Sequence, residues 1–236
     1  MEYETALALE RYHDQQANWP AEGQHILAQY DAASVVVYQA YRPAIGHSAA
    51  RYGRFGGEFS LDRMSWIKPN FLWMMYRSGW GTKDGQEVTL AVWLRRAAFE
   101  AILREGVPSS FTPGIYASHD EWQMAVARLS VRIQWDPNHD PHGRPLARRA
   151  IQLGLRGEAL SRYAGEWLLR IEDISPLVAR QREIMRGESG STADAARDSL
   201  SRYRCCPGPA AGYARRFCAR LNMLDALRPQ PKLRPR

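Results

Sequence analysis

The steadiest apolar run in the chain is Val35-Val36-Val37-Tyr38-Gln39-Ala40-Tyr41, which Arg42-Pro43 brings to an end. Three β-branched residues followed by two tyrosines predict a buried strand whose far end presents polar groups. Glu87–Leu94 has the same character and predicts a second strand, and Arg95–Glu105 follows with Ala98, Phe99, Ile102 and Leu103 on one helical face. Gly106-Val107-Pro108 reads as the stop of that helix. Further strands are expected at Ser130–Trp135, Ala150–Leu155 and Glu166–Glu172. Helices are expected at 44–53, 119–129 and 174–186, with a helical turn at 160–164. A helix over Glu4–Gln16 has a thin apolar face and reads as an accessory element.

Between the first two strands lies the densest aromatic stretch, Asp62 to Gly81. Trp66, Trp73 and Trp80 recur at intervals of seven, interleaved with Met64, Met74, Met75 and the cations Arg63, Lys68 and Arg77. Pro69 restricts helix formation before it and is tolerated in a first turn, so a short helix over Asn70–Arg77, ended by Ser78-Gly79, is expected. Rigid aromatic bulk beside cations suits a flat, charged ligand. The alternative is that Lys68 and Arg77 pair with Asp62 or Glu58 on the surface, where such pairs contribute ~0–1 kcal/mol.

Charge changes the picture less than its total suggests. Of a net +7, residues 187–236 hold ten Lys/Arg against four Asp/Glu, so +6 resides there, and residues 1–186 carry +1. That stretch is rich in Ser, Gly, Ala, Pro and Arg, and it is expected to be a mostly disordered basic tail with a helix near 213–227. The expected organisation is therefore an N-terminal extension (1–22), one globular domain (23–186) and the tail (187–236). The three cysteines all lie in the tail, two of them adjacent, which suits neither a disulfide framework nor a zinc site. With no long apolar run and no basic, apolar leader, a cytoplasmic protein without a membrane partner is expected.

The Val37–Tyr41 and Asp62–Gly81 blocks resemble those of a family catalogued as domain of unknown function 4291. Gln134-Trp135-Asp136-Pro137, Ile151–Leu155 and Glu166–Asp173 are similar to its later blocks. In element order the chain also resembles mono-ADP-ribosyltransferases, in which a split sheet cradles NAD. That second resemblance implies an α+β fold with a split mixed β-sheet and flanking helices, NAD as the cofactor consumed, and transfer of ADP-ribose to an acceptor, nucleic acid among the options. It implies Gln39, Tyr41 or Arg42 as the first-strand group, Trp66 or Tyr76 as the stacking aromatic, and Lys68 and Arg77 against phosphate. Glu166 is then the carboxylate that stabilises positive charge on the ribose as nicotinamide leaves.

Two other readings compete. Asp136, His139, Asp140 and His142 have the donor types for a divalent metal in a nucleic-acid-processing enzyme, whereas the nearby prolines and Gly143 favour a turn in which Asp bonds its own backbone. A non-catalytic module that binds a nucleotide or RNA through the aromatic pocket is the third.

Overall fold

The computed structural model describes residues 5–188, and the readings made for the tail lie, from residue 189 on, outside the described residues. The chain order is α1 (Tyr12–Ala17), β1 (Gly23–Gln24), β2 (Ser34–Tyr41), α2 (Pro43–Tyr52), β3 (Ser65–Ile67), α3 (Phe71–Ser78), β4 (Val88–Arg95) and α4 (Arg96–Arg104). Then follow β5 (Gly106–Pro108), α5 (His119–Arg128), β6 (Val131–His139), β7 (Pro145–Leu155), α6 (Gly157–Ala164), β8 (Leu168–Asp173) and α7 (Ser175–Glu188).

The strands form two sheets, β1-β7-β6-β5 with β3 on β7, and β2-β4-β8. A single bridge joins them: Tyr38 N donates to Lys68 O at 2.7 Å and Lys68 N to Tyr38 O at 3.2 Å. Beyond it β2 and β3 part, and the mixed sheet is split there. The α+β class and the split mixed sheet expected from the sequence are both present.

The apolar run Val35–Tyr38 of β2 has both of its faces covered. Val35 and Val37 enter a core shared with β4, β6, β7, α4 and α6, while Val36 and Tyr38 enter a second core with α3 and α7. Leu7 and Tyr12 also belong to that second core, and Ala6 N donates to Glu172 at 3.2 Å. The segment before residue 23 thus packs against the second core through these residues. Its contribution is a few anchoring side chains, which a periodicity search does not register.

Most other differences are of length. β6 runs to His139, because Asp136–His142 is the end of a hairpin: His139 pairs with Pro145 across the turn. β3 and β5 have three residues each and carry no alternation long enough to see. Glu166 lies before β8 instead of inside it, since pairing with β4 begins at Leu168.

Candidate functional site

Where β2 and β3 separate, a cleft of about 680 Å³ opens. Gln39, Tyr41 and Arg42 from the end of β2 line it, with Arg63, Met64 and Trp66 from the following loop and β3. Lys68, then Met74 and Arg77 of α3, and the turn at Asp84–Gln86 complete it. The site is built by the cap of α3 as much as by the sheet. Asn70 accepts from Trp73 N at 2.9 Å, fixing the start of the helix immediately after Pro69.

The gap between the strands is spanned by side chains. Gln39 Nε2 donates to Ser65 Oγ at 2.8 Å and to Trp66 O at 3.3 Å, and Tyr41 Oη shares a hydrogen bond with Ser65 Oγ at 2.8 Å. Fully buried Tyr163 of α6 donates to Gln39 Oε1 at 2.5 Å, which sets which way the carboxamide points. Burial pushes the phenols of Tyr41 and Tyr163 above their ordinary range, so both stay neutral donors.

Lys68 is 6% exposed, and among the described residues it makes no ion pair. Burial and the nearby Arg77 pull its ammonium down to about 8, partly opposed by Asp136. That carboxylate is engaged elsewhere, accepting from Gln134 Nε2 at 2.9 Å and from Gln152 Nε2 at 2.8 Å. Arg42 pairs with Glu58 at 2.6 Å, while Arg63 and Arg77 form no ion pair among the described residues. The lining therefore has four cations against Glu58 and Asp84, with Lys68 the one taken out of water. A buried ammonium without a carboxylate is unfavourable alone and favourable once an anion arrives.

Trp66 lies across Gly154 of β7. A Cβ there would fall 3.1 Å from the indole and 2.7 Å from Met64 Sδ. The absence of a side chain at 154 lets both rest on the sheet beside Lys68.

Six of the eight residues expected at one site are brought together: Gln39, Tyr41, Arg42, Trp66, Lys68 and Arg77. Tyr38 turns the other way, packing edge-on against Phe71 in the second core. Tyr76 does not reach the cleft. It projects from another side of α3 and stacks on His139 with ring centres 3.6 Å apart.

Glu166 does not line the cleft either. It is exposed and paired with Arg162 at 3.1 Å, and the arginine's hydrogen bond and charge hold its carboxyl below the usual range. A carboxylate four residues after an arginine at a helix end finds that partner first, which the strand reading of 166 overlooked. The carboxylates lining the cleft are Glu58 and Asp84, and Glu166 stands apart from them.

The residues of the metal reading lie in a turn and a ring stack. Asp140 accepts from His142 N at 2.9 Å and Arg144 N at 2.8 Å, closing the hairpin turn, and His139 is buried in the aromatic stack. No group of three His, Cys, Asp or Glu side chains suited to a metal occurs among the described residues. No described helix is long and apolar enough to cross a membrane.

Sequence reasoning missed Ser65, Tyr163 and Gly154. Tyr163 is remote in the chain and Ser65 is unremarkable in type. Gly154 gave the one signal, a glycine inside an apolar strand, which marks close approach of a neighbour.

A cation-lined cleft at the split of an α+β sheet is what these residues define. The chain belongs to the family described as Domain of unknown function (DUF4291), whose family model matches residues 25–202. A search of curated proteins found no match to the chain.

Proposed function

We propose that this domain binds a nucleotide-type ligand in the cleft at the sheet's split. Phosphate lies against Lys68 with Arg63 and Arg77 at the rim, and a flat ring lies against Trp66. The observation that carries the reading is Lys68: a buried ammonium, with no ion-pair partner among the described residues, facing a cleft large enough for such a ligand. A structural lysine at this depth would be expected to have a carboxylate beside it.

The split sheet favours NAD as the nucleotide and ADP-ribosyl transfer as the reaction. In that chemistry the nicotinamide–ribose bond breaks with its electron pair leaving on nicotinamide, and an acceptor oxygen or nitrogen closes on the sugar carbon. The carboxylate that steadies the developing positive charge would come from Glu58 or Asp84, the two in the lining. The acceptor's proton leaves to solvent or to that carboxylate.

The test is calorimetry of NAD, ADP-ribose and ATP with the full chain and with Lys68→Met, beside an assay of nicotinamide release. Binding that Lys68→Met weakens supports the cleft reading, and nicotinamide release lost in Glu58→Gln or Asp84→Asn supports transfer. Nucleotide binding without release leaves a binding module and removes the transferase. Absence of binding by any of the three removes both.

A further inference from the structure

On the side of α3 away from Lys68, a second hollow of about 470 Å³ is walled by Tyr76, Trp80, His142 and two arginines of α7, Arg182 and Arg186. We infer that this hollow is a contact site for single-stranded nucleic acid, one base stacking on Tyr76 and the adjoining phosphate meeting Arg186. The inference is independent of what the Lys68 cleft binds.

Tyr76 is 46% exposed, an unusual degree for a ring that is also held rigidly. One side of it stacks on His139, with centres 3.6 Å apart and planes within 12°, and Trp73 lies nearly parallel at 5.5 Å. Burial draws the His139 imidazole below its ordinary range. A ring fixed in place and open to water is a stacking platform that loses little freedom when a base lands on it.

The wall beside it is rigid for a different reason. Trp80 is the one non-glycine residue at positive φ (56°) among the described residues, between Gly79 at 57° and Gly81 at 71°. The ring of Trp80 is anchored edge-on to Phe71, and Arg182 Nη1 donates to its carbonyl at 2.8 Å. A bulky residue kept in the left-handed region is over-determined by its surroundings, and such positions gather at binding sites. Arg182 holds the turn, leaving exposed Arg186, one helical turn along, as the cation for phosphate.

The described residues lining this hollow include no carboxylate. Directly after Arg186 the sequence enters the stretch with ten Lys/Arg against four Asp/Glu, so positive charge continues along the chain from this wall. An aromatic platform followed by cations matches the alternation of base and phosphate in a polynucleotide better than that of an acidic peptide, which offers charge but nothing to stack.

The test is fluorescence anisotropy of labelled oligouridylate and oligothymidylate, twelve nucleotides in length, with the full chain at fixed salt. Tyr76→Ala is expected to weaken binding roughly 5- to 150-fold, the loss of one base stack. Tyr76→Phe is expected to retain it, and Arg186→Ala to weaken it and flatten its salt dependence. RNA and DNA binding alike would assign the site to stacking and phosphate; RNA alone would add a contact to the 2′-hydroxyl. Phenylalanine keeps the stack on His139, so a loss in Tyr76→Ala with retention in Tyr76→Phe is not a folding failure. Affinity unchanged in both Tyr76→Ala and Arg186→Ala would leave the basic tail as the binder and overturn the proposal. So would absence of binding, equal binding of polyglutamate, or a loss on Lys68→Met as large as that on Tyr76→Ala.

Discussion

Replacing Lys68 with methionine removes a charge while keeping an unbranched chain of similar length, and three quantities respond. Burial and Arg77 bring the ammonium from 10.5 to about 8, with Asp136 of β6 opposing. At ~1.4 kcal/mol for each pKa unit, the fold loses roughly 3 kcal/mol by holding Lys68 charged at neutral pH. Lys68→Met is therefore expected to raise the free energy of unfolding at pH 7, by up to roughly 3 kcal/mol and less where cleft water screens the charge. The sign with pH follows from proton counts. Between about 8 and 10.5 the unfolded chain binds the proton that the folded one has released, so wild-type stability gains ~1.4 kcal/mol per pH unit relative to the variant. Below about 8 both states are protonated and the difference is constant. Ligand affinity should move the opposite way. Lys68→Met should weaken an anionic nucleotide by about 10- to 150-fold, corresponding to a charge-assisted bond of ~1.5–3 kcal/mol, and wild-type affinity should fall as pH rises above 8. Urea denaturation and calorimetry from pH 7 to 9.5 measure both. A variant less stable than wild type at pH 7, with unaltered nucleotide affinity, would mean that Lys68 is a packing residue and would refute the reasoning.

Three further outcomes test the rest of the site. Gly154→Val should destabilise by roughly 1–3 kcal/mol by forcing Trp66 and Met64 off the strand, and should weaken ring binding in the cleft; thermal melts and calorimetry check this. Tyr163→Phe leaves Gln39 Oε1 without its donor and should cost roughly 1–3 kcal/mol in denaturant titrations. Glu166→Gln should leave ligand affinity within error of wild type, because the carboxylate lies outside the cleft on Arg162; a tenfold change in Kd would return Glu166 to the site.

Periodicity showed the long elements well, since β2, β4 and α4 carry apolar patterns that only one packing satisfies. It failed where pairing partners are distant. β3 exists because Ser65–Ile67 finds Leu153–Leu155, and β6 continues past Trp135 because β7 is there to meet it. At the site, Gln39, Tyr41 and Arg42, close in sequence at one strand end, line the cleft together. Tyr76 lies apart from the others because α3 has sides: Met74 and Arg77 meet the cleft, whereas Met75 and Tyr76 look elsewhere. Glu166 lies outside the cleft because β8 begins only at Leu168 and Arg162, one helical turn back, pairs with its carboxylate. Residue type alone could not separate a carboxylate facing ribose from one facing an arginine.

The backbone part of the seam between the two sheets is two hydrogen bonds, those of the Tyr38–Lys68 bridge, with the side chains of Gln39 and Tyr41 bonded across to β3 beside them. Amide exchange should sense this. Protons deep in β4 and β7 are released only by global opening, but the Lys68 amide is released by any motion that unzips the seam and leaves each sheet intact. Such a motion widens the cleft and hydrates the ammonium at once, so the width of the cleft and the charge on Lys68 vary together. A ligand that clasps Lys68 from the cleft side would close the seam, and its occupancy would be read as slowed exchange at two amides that it does not touch.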